Sequence, residues 1–187
     1  MKFKNLRHQR LFTKIWRDSF LMGSIARELN TFLNLKYEGE EFVVGLLGNL
    51  GCLLLLSEFP DIYSEIIQKS NNIKELIENE YNHFKCNNSD LTYVLLSKWE
   101  LPSMIADSTW RQYPLSYTPI STAIEPNLAI IARLARFAIE YRSNQFSDPD
   151  FIGEPLKLLN LQFENFIPNL DKLITKNIST ININGIE

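Results

Sequence analysis

The stretch EEFVVGLLGNLGCLLLLSEFPDIY, residues 40–63, decides the fold. Glu40 and Glu41 suit the positive end of a helix dipole, and the run after them is apolar on nearly every face. This predicts a central helix over 39–57, buried from all sides, with Pro60 opening the next helix at its first turn. The most apolar part, 42–56, is only 15 residues long and is interrupted by Gly45, Gly48, Asn49 and Gly51. A membrane-spanning helix takes about 20 residues, so the reading is a core helix and no membrane insertion. The three glycines recur every third residue, leaving a smooth strip for a neighbouring helix backbone at a propensity cost of about 1 kcal/mol each. No strand precedes them and their spacing is not G-x-G-x-x-G, which excludes a nucleotide-phosphate loop.

Upstream, Ile15, Trp16, Phe20, Ile25, Ala26, Leu29, Phe32 and Leu33 fall at helical spacing and predict a core-facing helix over 13–34. Downstream, short helices are predicted at 60–69, 73–83, 89–99 and 102–110. Pro114, Pro119 and Pro126 forbid regular helix across 112–126, which reads as a loop crossing the surface. Pro126 starts a further helix to about 143, with a stripe of Leu128, Ile131, Leu134, Ala135, Ala138 and Ile139 and with Arg133 and Arg136 on or beside it. A turn at 147–150 leads to helices at 154–160 and 162–176, and the Ile/Asn alternation of the tail suits a short edge strand or disorder. The expectation is an all-α fold of about eight helices without significant sheet. It divides into a basic arm (1–11), one helical domain (12–176) and a tail (177–187).

The chain has 187 residues and 21.8 kDa, 45% hydrophobic and 22% charged, with 19 basic and 22 acidic residues and a net charge of −3. A chain of this size buries about two thirds of its unfolded surface and supports its own core. Six basic residues, Lys2, Lys4, Arg7, Arg10, Lys14 and Arg17, precede the first acidic one, leaving 13 basic against 22 acidic, or −9, in the rest. Such an arm suits nucleic acid, anionic lipid or a transit peptide. Phe3, Leu6, Leu11 and Phe12 are interleaved with it in a way that favours a helix lying on the acidic body. The overall charge gives no reason to expect nucleic acid as the main partner. The start lacks the apolar core and cleavage site of a secretory signal. Cys52 and Cys86 form no CxxC pair, which excludes a zinc ribbon or a disulfide framework and fits a cytoplasmic protein.

Four strings in order, IWRDSFLMGSIARELN (15–30), the opening stretch, YVLLSKWELPSMI (93–105) and SDPDFIGEPLKLLN (147–160), resemble the HDOD family, the HD-related output domains of bacterial signalling proteins. The resemblance runs over 12–176 and implies an HD-like orthogonal helical bundle. HD hydrolases hold metal between helices with imidazole and carboxylate ligands, so that a bound water is acidified and a phosphate oxygen polarised. By this resemblance the first histidine position falls on Asp18, the His-Asp pair on Gly48 and Asn49, and the next histidine on Asn88. A histidine pair falls near Gln112 and Tyr113, and the last ligand aspartate on Arg133 or Arg136. These vestigial positions hold no histidine, and His8 and His83, the only two in the chain, lie in none of them. The set predicts no metal, no cofactor and no catalytic residue. Family members carry further N-terminal helices, so apolar surface is expected that the basic arm, a second copy or a partner covers.

Asp18 is expected to pair with Arg133 or Arg136 beside Asn49, plugging the vacated cavity, because a buried charge needs a partner. Trp110, Arg111, Tyr113 and Tyr117 crowd into the proline-rich loop and form the candidate recognition surface, since aromatic residues and Arg are enriched at interfaces. No oriented base supports a Ser, Cys or Lys nucleophile. The resulting expectation is a non-enzymatic signalling scaffold acting through protein–protein contacts with an unidentified partner or as a homodimer. The alternative is a sensor holding a nucleotide or other anion in the old cleft. A residual phosphohydrolase and a nucleic-acid binder using the arm rank behind both.

Overall fold

The computed structural model describes residues 5–142 and 149–183. Residues 1–4 of the predicted arm, residues 147 and 148 of the predicted turn, and the last four of the tail lie outside these. Ten α-helices and two 3₁₀ turns make up the described residues, with no strand. The helices are α1 (Leu6–Phe32), α2 (Glu40–Leu47), α3 (Leu50–Glu58), α4 (Pro60–Lys69), α5 (Ile73–Phe84), α6 (Asn88–Lys98), α7 (Ser103–Trp110), α8 (Pro126–Arg142), α9 (Gly153–Leu158) and α10 (Phe163–Ile183).

Helix α1 is longer than its apolar stripe. Asn5 caps it by accepting from the Arg7 N–H, and it runs without a break past residue 12, so residues 6–11 of the arm are the first turns of a core helix. Leu11 and Phe12 pack on Cys52, Leu55, Leu56 and Tyr63, which gives that segment an apolar reason to continue the helix. At the other end α10 carries its helix through residue 177 to Ile183, where an edge strand or disorder was expected. No sheet edge exists among the described residues for such a strand to join.

The predicted helix over 39–57 is two helices. Glu40–Glu58 has the length and apolarity of a membrane span, yet half of it is buried inside the protein, and it breaks at Gly48 and Asn49. The Gly48 carbonyl accepts from Gln112 Nε2 at 2.7 Å, and the Asn49 amide turns inward to Ser19 Oγ at 3.1 Å. Side-chain partners therefore take the place of the helical hydrogen bonds there. The break also sends the glycines to different neighbours. A Cβ on Gly45 would stand 2.6 Å from the Gly23 backbone of α1, and one on Gly51 would stand 1.9 Å from the Asn88 carbonyl oxygen at the start of α6.

The central helix is α8, not the opening stretch. Every residue from Leu128 to Glu140 is buried, including Arg133, Arg136 and Glu140. Its apolar side chains join Met22, Ile25, Ala26 and Leu29 of α1 and Phe166, Leu170 and Ile174 of α10 in the largest core cluster. The loop before it does not simply cross the surface, because Gln112, Tyr113, Thr118 and Ile120 are buried within it.

The Gly51 contact is backbone to backbone and cannot be relieved by a rotamer change. Gly51→Ala is expected to lower stability by about 3 kcal/mol, whereas Gly153→Ala, with open space around its position, should stay within about 0.5 kcal/mol. Urea unfolding midpoints of the two variants check this.

Candidate functional site

Helical spacing places Arg133 and Arg136 one turn apart on α8, and the two guanidinium groups serve different ends. Arg136 is 4% exposed and reaches into the centre of the bundle. Its Nη2 donates to Asn49 Oδ1 at 2.5 Å, and its Nε and Nη2 both donate to Gln112 Oε1, at 3.1 and 2.9 Å. Its Nη1 lies 3.5 Å from Glu140 Oε1 one turn along α8, and the guanidinium sits over the Tyr113 ring at 5.1 Å. Tyr113 in turn donates through its hydroxyl to Asn88 Oδ1 at 3.2 Å. The break in α2–α3, the start of α6, the residues after α7 and the middle of α8 thus bring two hydrogen-bonded sets together, Gly48, Asn49 and Gln112 around Arg136 and Asn88 with Tyr113, joined by the guanidinium over the Tyr113 ring.

Asp18 stands at its edge. It pairs with Lys14 Nζ at 3.0 Å and with Arg142 Nη2 at 3.8 Å, so the expected direct pair with Arg133 or Arg136 is not made. Glu140, on the same helix as Arg136, takes the place that Asp18 was expected to fill. A cavity of about 110 Å³ lies between them, bordered by Asp18, Asn49, Cys52, Tyr63, Arg136 and Glu140.

Three members of this centre carry no motif. Glu80 of α5 is fully buried and accepts from the Tyr63 hydroxyl at 2.6 Å, the Asn88 backbone N–H at 2.8 Å and the Asn88 side-chain amide at 2.9 Å. Burial raises its pKa above the ordinary carboxylate value despite those donors. Burial also pushes the Cys52 thiol up to about 12, which keeps it protonated and unreactive. Glu140 is likewise raised by burial, against the lowering effect of Arg136 and Lys14. A hydrophobic-pattern reading sees Tyr63, Glu80 and Cys52 as ordinary members of three separate helices; only packing joins them.

Arg133 leaves the cavity altogether. Its guanidinium donates to the carbonyls of Arg111, Tyr113 and Thr118 at 2.9, 3.1 and 3.0 Å and pairs with Glu154 of α9 at 2.8 Å. This is why the proline-rich loop is drawn inward. Arg111 is buried too, held by Asp107 at 2.8 Å and donating to the Pro119 carbonyl. The candidate recognition surface is therefore corrected: Arg111 and Tyr113 belong to the interior. Trp110 and Tyr117 do stay near the surface, and Tyr93, Trp110 and Tyr117 form a ladder with ring centroids 5.0 and 5.9 Å apart. Asp90 anchors the ladder by accepting from Trp110 Nε1 at 2.8 Å.

The fold implies an HD-type metal, and the residues present do not fit one. The positions that the resemblance assigns to ligands hold Asp18, Gly48, Asn49, Asn88 and a buried guanidinium, one carboxylate in all, and a permanent cation opposes a divalent ion at that spot. Among the described residues no group of three His, Cys, Asp or Glu side chains is placed to hold a metal.

A family model for the HDOD domain matches residues 1–114. The chain belongs to the HDOD family. The match includes the segment before residue 12 and stops short of α8, so Arg133 and Arg136 lie outside it. A comparison with curated proteins gives no match. Among solved structures, this HDOD chain is similar to a putative phosphohydrolase from Shewanella amazonensis SB2B, with 17% identity over 94% of this chain and 62% of that one, at a TM-score of 0.64. It is also similar to the MmoQ response regulator from Methylococcus capsulatus str. Bath, with 22% identity, 90% and 65% coverage and a TM-score of 0.60. These likenesses show the fold. The chain spans under two thirds of the length of either structure.

Two predictions test the centre. Arg136→Met leaves the buried Glu140, Asn49 and Gln112 oxygens without their donor and is expected to cost about 3–5 kcal/mol in unfolding free energy. Glu140 faces Arg136 on its own helix and Lys14 and Asp18 of α1. Because its folded pKa is raised, the native state holds more protons than the unfolded chain above the ordinary carboxylate value. Its contribution is thus most favourable at low pH and is lost as pH rises through the raised value. Glu140→Gln should gain stability relative to the parent on going from about pH 5 to about pH 8. Urea midpoints at both pH values check the sign.

Proposed function

We propose that this HDOD chain is a non-catalytic regulatory module that works by protein–protein contact, its helical unit running from α1 to α10. One observation carries the reading: the buried Arg136 guanidinium, hydrogen-bonded to Asn49 and Gln112, lies where the related hydrolases would need metal ligands. Among the described residues, chemistry that depends on a metal-bound water finds no donor set. Family membership and the resemblance in fold to a response regulator support a signalling context. The exposed Tyr93 and Tyr117 on either side of the half-buried Trp110 support a contact surface, since Trp and Tyr concentrate binding energy at interfaces. The cavity of about 110 Å³ is smaller than the roughly 300 Å³ of ordinary ligand pockets, which argues against a whole nucleotide in the old cleft.

The test is hydrolysis. The purified chain is incubated with Mn²⁺, Mg²⁺ or Fe²⁺ and with nucleoside triphosphates, nucleoside monophosphates or cyclic dinucleotides. No turnover above the metal-only blank is expected. Chelator-sensitive turnover that disappears in Asp18→Ala would falsify the non-catalytic reading.

A further inference from the structure

An anion sensor built on Arg133 or Arg136 fails on geometry, because the donors of both are directed to internal acceptors. The cations left over are elsewhere. Arg10, Lys14 and Arg17 are spaced by four and three residues, which puts them on one face of α1. The last turn of α8 brings Arg142 alongside them, and together they line a concave groove of about 450 Å³. The single acid in the groove is Asp18, already engaged by Lys14 at 3.0 Å and Arg142 at 3.8 Å. It ties a residue of α1 to one of α8 and holds both cations at the groove wall.

Four cations against one carboxylate leave this small surface strongly positive on a chain whose net charge is −3. No ion pair involves Arg10 or Arg17 among the described residues. Guanidinium and ammonium groups converging from two helices match the oxygens of a phosphate chain, which arginine engages two at a time.

We propose that the groove between α1 and the end of α8 binds the phosphate chain of a small phosphorylated ligand through Arg10, Lys14, Arg17 and Arg142. Its volume is in the range of small-molecule sites. Three of the cations are gathered within about two turns of α1 and the fourth stands across from them on α8, rather than along a stripe that would follow a nucleic-acid backbone. The site is independent of the protein-contact reading and lies outside the Arg136 centre, sharing only Lys14 and Asp18 with the cavity there.

Isothermal titration with pyrophosphate and with ATP, at low salt and without added metal, tests it. One saturable site is expected for each probe. The double variant Arg17→Ser/Arg142→Ser should weaken both by at least about tenfold with the far-UV circular dichroism of the parent, while Lys98→Ser on α6 leaves affinity as it was. Tighter binding of ATP than of pyrophosphate identifies a nucleotide as the source of the phosphates; equal binding identifies the phosphate chain alone. Either result supports the site. The proposal is overturned if neither probe shows a saturable heat, or if the double variant binds as well as the parent. It is equally overturned if duplex DNA or phosphatidylserine vesicles bind while pyrophosphate does not.

Discussion

A guanidinium carries five N–H donors and a charge that no protein environment removes, so burying one obliges the surrounding structure to supply acceptors. Helix α8 buries two, and most of the irregular structure in this chain follows from that obligation. Arg136 needs the Asn49 and Gln112 oxygens, and α2 and α3 part at Gly48 and Asn49 where those side chains meet. Arg133 needs backbone carbonyls, and the loop after α7 folds inward to present three of them. The helices themselves need only apolar periodicity; the way their ends and loops are set depends on these two residues.

The polar centre has a second layer that holds the first. Glu80 grips Asn88 by both its backbone and its side chain, Asn88 receives the Tyr113 hydroxyl, and Tyr113 lies under Arg136. Buried networks of this kind are stable only when nearly every member is satisfied. Here the charges that burial disfavours, on Glu80 and Glu140, sit within reach of a permanent cation. The interior is polar, with a side chain as its positive charge.

How much of this was legible in the sequence follows from what each signal depends on. The stripe of α1 and Pro60 at the start of α4 depend on local spacing and could be read directly. The HDOD resemblance placed Asn49, Asn88, Gln112, Tyr113 and Arg136 in a common region, which no periodicity could have done. Three readings went astray for physical reasons. Gly48 and Asn49 looked like tolerated interruptions in one helix, because the Gln112 side chain that caps the break is 64 residues away. Tyr113 and Arg111 looked like surface residues because a proline-rich loop is usually solvated, and the Arg133 donors that pull this one inward are themselves on a distant helix. Asp18 looked like the partner of the buried cation because the resemblance put both in one cavity, whereas Glu140 carries no motif and meets Arg136 one turn along the same helix.

The crowding around Gly48 bears on the direction in which such a protein can change. A Cβ there would lie 2.8 Å from both Gln112 Oε1 and Met22 Cε, so a histidine at this position displaces the residue that holds Arg136. A histidine at 48, an imidazole at 88 and a carboxylate at 136 are each unfavourable while the other two are missing. Regaining a metal centre would require these exchanges nearly together. Packing around the guanidinium thus works as a ratchet: with the interior closed on Arg136, a single substitution at 48, 88 or 136 is opposed by the two residues left unchanged.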